Sequence, residues 1–100
     1  MHPMKSTGIK DIVLEEIRML AERNRLDRVI LFGSRARGDY LRNSDIDLAV
    51  FGGDVVSFAL DVEEETSTLL TYDVVDLGKN IDGKLRESIE EEGMTIYEKV

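Results

Sequence analysis

Asp45 and Asp47 stand two positions apart in an otherwise apolar run, Asp45-Ile46-Asp47-Leu48-Ala49-Val50-Phe51, and form the strongest chemical signal in the chain. If that run is a strand, side chains alternate between its faces. Both carboxylates then leave one face, while Ile46, Leu48 and Val50 enter a core on the other. Two convergent carboxylates are hard oxygen donors that repel each other without a cation. That suits magnesium, which completes its octahedral shell with phosphate oxygens and water and needs no all-protein cage. Upstream, Gly33-Ser34 closes the apolar run Arg28-Val29-Ile30-Leu31-Phe32. Glycine just past a buried strand lets the backbone approach a ligand, and Ser34 can cap the short helical turn that follows. Amides and a hydroxyl would there face an anion at the positive end of the helix dipole, as a triphosphate requires.

Ten residues separate Gly33-Ser34 from Asp45-x-Asp47. At residue usages near 5–7%, four identities at a fixed spacing arise by chance in about one 100-residue chain per thousand. A lone Gly-Ser is usually a plain turn; the whole arrangement is not so easily dismissed. A third carboxylate is available in Tyr72-Asp73-Val74-Val75-Asp76-Leu77, where Asp73 and Asp76 fall on opposite faces of a strand and only one can join the pair. Arg35 and Arg37 follow the turn and read either as phosphate ligands or as exposed loop charges. Ser44 can hydrogen-bond the Asp45 carboxylate or serve only the loop.

These groups need elements to position them. Ile9, Ile12, Val13, Ile17 and Leu20 recur at helical spacing, with Ser6 or Thr7 available as N-cap and Asn24 near the end. Arg28–Phe32, Asp45–Phe51 and Tyr72–Leu77 read as strands. After Gly52-Gly53, Asp54 can cap a helix that uses Val55, Phe58, Ala59 and Val62. A last helix runs from about Asp82 to Glu92, with Gly93 expected in the left-handed region before a short extended tail, Met94 to Tyr97. The order predicts an α/β sandwich, a small mixed β-sheet covered by helices.

One hundred residues with 42% apolar content make a single domain, residues 1–100, with residues 1–6 expected as a frayed tail and no role for His2. No run approaches a membrane span, the start lacks the apolar stretch of a signal peptide, and the absence of cysteine fits a reducing cytoplasm. A net charge of −8 argues against a nucleic-acid ligand held by its backbone. The acidic runs Glu63-Glu64-Glu65 and Glu90-Glu91-Glu92 read as solvated helix faces without chemistry.

On the residues Leu31-Phe32-Gly33-Ser34-Arg35-Ala36-Arg37-Gly38 and Ser44-Asp45-Ile46-Asp47-Leu48, the chain resembles the minimal, single-domain nucleotidyltransferases of the DNA polymerase beta superfamily. The resemblance implies that Gly33 and Ser34 hold a triphosphate and that Asp45 and Asp47 bind two Mg2+ ions. It implies too that a third carboxylate activates the acceptor hydroxyl; the family pattern, an acid followed by apolar residues at the strand start, matches Asp73. Similarity to the stand-alone branch implies an antitoxin-like role: AMP from ATP is attached to a tyrosine of a HEPN-type partner. Two alternatives stay open, a catalytically silent subunit that neutralises the same partner and a small-molecule nucleotidyltransferase. The retained acid set favours the enzyme.

Overall fold

The computed structural model describes residues 6–100. His2 and most of the expected frayed tail therefore lie outside the described residues, while Ser6 approaches the Tyr40 hydroxyl at 3.2 Å. The element order is α1 (Asp11–Arg23), β1 (Arg28–Phe32), α2 (Ser34–Arg37), β2 (Ile46–Phe51), α3 (Val55–Glu65), β3 (Tyr72–Asp76), α4 (Gly83–Glu92) and β4 (Met94–Glu98). The sheet runs β3-β2-β1-β4, with β1 antiparallel to both β2 and β4 and β2 parallel to β3. It is the small mixed sheet that the sequence predicts. Parallel pairing of consecutive strands needs a crossover, and α3 supplies it.

Alternation along β1 and β2 divides the apolar residues between two faces. Val29, Leu31, Ile46, Leu48 and Val50 are buried against Val13, Ile17, Leu20 and Ala21 of α1 and Phe58 and Val62 of α3. Burying each larger side chain contributes roughly 1.5–3 kcal/mol. The other face is thinner: Phe32, Ala49 and Ile89 are buried there, flanked by half-buried Ile30, Val75, Leu77 and Leu85. Asp47 shares that thinner face, since it alternates with Leu48 and precedes Ala49 by two. Among the described residues no helix is long and apolar enough to cross a membrane.

Among the expected caps, Asp54 holds, while those of α1, α2 and α4 differ. Asp54 accepts a hydrogen bond from the Ser57 amide at 3.0 Å and so caps α3. α1 starts later than expected, with Lys10 at its N-cap and no side-chain cap bond. The Thr7 hydroxyl instead accepts from the Ile9 amide at 3.2 Å, turning the chain ahead of the helix. Gly93 is not left-handed: its φ of −66° and ψ of 145° lead directly into β4. What it provides is clearance, because a Cβ there would overlap the Ile89 carbonyl oxygen and the Ile30 side chain. Gly93→Ala should therefore cost about 1–3 kcal/mol in chemical denaturation through overpacking, although alanine satisfies the backbone angles.

Candidate functional site

The turn after β1 and the start of β2 meet at one point. In the antiparallel register Phe32 lies opposite Asp47, so the next residue, Gly33, sits against the Asp47 side chain. Gly33 has a φ of 76°, and a Cβ built on it would overlap the Asp47 carboxylate. Glycine is required twice, by backbone conformation and by space. The turn is α2, a four-residue helix with Gly33 as its N-cap and Gly38, left-handed at φ 94°, as its C-cap. Ser34 is thus the first helical residue and not the cap. Its expected capping bond is absent, and the Gly33 carbonyl accepts from the Ala36 and Arg37 amides at 3.1 and 3.0 Å. A first helical turn leaves its leading amides without intrahelical acceptors, and this turn starts at the glycine that touches Asp47.

The parallel register of β2 and β3 separates the two candidates for a third acid. Asp73 is paired with Asp47, whereas Asp76 is paired with Val50 toward the other end of the strand. Asp76 instead accepts from the Gly78 amide at 2.8 Å in the turn that ends β3. Asp45, one residue ahead of β2, is exposed. Burial and the neighbouring charges of Asp73 and then Asp45 raise the pKa of half-buried Asp47 above its usual value, while Arg37 and Arg35 oppose the shift. This is the electrostatic signature of an acidic group short of positive charge. Among the described residues, no three acidic or histidine side chains converge closely enough to hold a metal ion unaided. The donor set of hard carboxylate oxygens fits a divalent cation that brings phosphate oxygens of its own.

The arginines have separate tasks. Arg35 is almost wholly buried, 1% exposed, and makes no ion pair among the described residues. Its guanidinium donates to the carbonyls of Thr7 (2.9 Å), Arg42 (3.2 Å) and Ser44 (2.9 and 3.0 Å) and lies over the Tyr40 ring. The expectation of a phosphate ligand thus meets a side chain whose donors are taken up by the loop before Asp45. Arg37 is on the surface, bonded to Asp39 at 3.1 Å and to Glu92 at 2.9 Å. Glu92 therefore does more than solvate its helix. Ser44 serves the loop, its hydroxyl accepting from the Leu41 amide at 2.8 Å. The partner of Asp45 is Thr71, whose hydroxyl donates to it. Sequence reasoning missed Thr71; its only signal was the place just ahead of β3, in step with the residue ahead of β2.

A cleft of about 620 Å³ lies at the opposite end of the sheet, between Arg28, Phe51, Leu77 and Arg86. No member of the carboxylate group lines it. The cleft is thus separate from the carboxylate group, which lies where the ends of β1, β2 and β3 meet.

Residues 15–100 match the family model described as "Polymerase beta, Nucleotidyltransferase", and the chain belongs to that family. A relative from Methanocaldococcus jannaschii, named as a protein adenylyltransferase, is 37% identical over 84 residues, covering 75% of this chain and 82% of that protein. A second so named from the same organism is 61% identical over 28 residues, 28% of each chain. Among solved structures, a toxin-antitoxin with AMP-PNP is similar at TM-score 0.71 and 26% identity, over 86% of this chain and 73% of that one. A mutant of the toxin-antitoxin MntA-HpeT is similar at TM-score 0.67 and 25% identity, over 85% and 72%. The small mixed sheet with its helices is the polymerase-beta-like nucleotidyltransferase fold.

Proposed function

We propose that this domain transfers AMP from magnesium-bound ATP to a hydroxyl of a partner protein in the cytoplasm, the partner being a helical HEPN-type chain in an antitoxin-like pair. The observation that carries the reading is the β2–β3 register, which sets Asp73 beside Asp47 at the turn made by Gly33 and Ser34. Relatives named as protein adenylyltransferases and the likeness to a toxin-antitoxin with AMP-PNP support the nucleotide and the kind of acceptor. Asp45, Asp47 and Asp73 would hold two Mg2+ ions, which supply charge neutralisation at the triphosphate and acidify the attacking hydroxyl. The leading amides of α2, with Ser34, would face the phosphates, and Arg37, held at the surface by Asp39 and Glu92, is the second arginine of this turn that could join them. The acceptor oxygen forms a bond to the α-phosphorus as the bond to the bridging oxygen breaks. Pyrophosphate departs, and Asp73 takes the hydroxyl proton. The net charge of −8 favours a protein acceptor with a basic face over a nucleic acid.

The test is to incubate the domain with magnesium, ATP labelled at the α-phosphate, and candidate partners. The partner protein should gain one AMP unit in intact mass. Label on RNA, DNA or a small molecule, with no protein heavier, would remove the protein acceptor and leave nucleotidyl transfer; binding without any transfer would identify a silent subunit. Within this scheme Asp73→Asn should lose transfer by about 10²-fold or more while Mg-ATP still binds, and Asp76→Asn should change little. Single-turnover kinetics beside nucleotide titrations check the pair, and an essential Asp76 would overturn the assignment of the acid.

A further inference from the structure

Resting on the proposed reading of the carboxylates, we infer that Thr71 is a positioning residue, whose hydroxyl sets the orientation in which Asp45 meets a divalent cation. Asp45 needs such a partner more than its neighbours do. It precedes the β2 ladder, which begins at Ile46, and its side chain is exposed. Among the described residues, the hydrogen bond from Thr71 Oγ1 to Asp45 Oδ1 is the one side-chain bond it makes, and Oδ2 is left unpartnered. An exposed aspartate without that bond would spread over several rotamers, few of them directed at the same point as Asp47.

Thr71 is itself held. Its carbonyl accepts from the Ile46 amide at 2.9 Å, which locks its backbone to the residue next to Asp45. The following amide, that of Tyr72, donates to Glu63 of α3 at 2.9 Å, and the Tyr72 hydroxyl lies 2.7 Å from that of Thr66. Further back in the same loop, the Ser67 amide and hydroxyl both donate to Glu16 of α1 at 2.7 Å. The loop is thus braced against two helices, and the β-branched side chain at its end has few χ1 states to choose from. Donating to one oxygen fixes the carboxylate plane and leaves the other oxygen for a cation. Partners of this kind behind metal ligands typically matter by 10–100-fold in metal affinity.

The discriminating substitutions are Thr71→Val, which keeps the shape and removes the donor, and Thr71→Ser, which keeps the donor. Mn2+ is titrated into the purified domain with AMP-PNP present, the free ion being followed by electron paramagnetic resonance, with Asp45→Asn as control. Thr71→Val should weaken Mn2+ binding by about 10-fold or more with an unchanged melting temperature, and Thr71→Ser should stay near wild type. Wild-type Mn2+ affinity in Thr71→Val, beside a clear loss in Asp45→Asn, would overturn the inference and leave the carboxylate site intact. If Asp45→Asn also binds as wild type does, the reading of the site falls as well.

Discussion

Asp47→Asn is expected to remove nucleotidyl transfer by about 10²-fold or more while leaving the metal-free protein at least as stable as wild type at neutral pH. The two effects share one cause. Asp47 carries a pKa raised by burial and by Asp73 and Asp45, so its ionised form is disfavoured in the folded state relative to the unfolded chain. A carboxylate with a raised folded pKa contributes stability that is fully present below the unfolded value, about 3.8, and is lost as pH rises through the folded value. At neutral pH the wild type bears this penalty and the neutral asparagine does not. The stability gap should therefore favour the mutant at neutral pH and close as pH falls below about 3.8, in parallel chemical denaturation series. Adding Mg-ATP should reverse the order, because bound ligand stabilises only the protein that can hold it. A mutant that keeps most of its activity, or is less stable at neutral pH without metal, contradicts the placement of Asp47.

Arg35→Ala is expected to have the largest effect on stability, about 3–5 kcal/mol, comparable to breaking a buried ionic group away from its partners. The loss comes from the carbonyls of Thr7, Arg42 and Ser44, which have this guanidinium as their donor, and from the space left beside Tyr40. For a domain of this size that is a fall of roughly 12–40 °C in melting temperature. Arg35→Lys should recover only part of it, since one ammonium cannot span three carbonyls that a planar fork reaches together. A melting temperature within a few degrees of wild type, measured by calorimetry, would return Arg35 to the phosphate role that its position after Gly33-Ser34 suggests.

Arg35 also shows where the sequence stops being readable. An arginine one residue past a glycine-serine turn has the chemistry of a phosphate ligand, and only the path of residues 39–44 around it reveals that its donors are spent on backbone. Asp45 and Asp47 were legible because strand alternation is a local rule that needs no knowledge of neighbours, and the burial of Ile46, Leu48 and Val50 opposite them obeys it. Asp73 was separable from Asp76 by family pattern; the physical reason, a parallel register with β2, lies in tertiary structure. Thr71 was easily overlooked for the same reason, since its bond to Asp45 exists only once two strands align. Gly93 shows a different failure: glycine after a helix usually means a left-handed exit, but here a strand starts at the next residue and close packing, not backbone angle, selects it.

The parallel pairing of β2 with β3 has a consequence for how the molecule comes into being. β1 and β2 are joined through the short α2 loop and can pair early, whereas Asp73 reaches Asp47 only after the excursion from Phe51 through α3 to Tyr72 has closed. Loop-closure entropy makes such non-local contacts late and slow, and here the closing contact also brings like charges together. Assembly of the three-carboxylate group is thus expected late in folding. In refolding of the purified domain, the approach of Asp73 to Asp47 should follow the pairing of β1 with β2, and divalent cations that bridge the carboxylates should speed that later step more than the first.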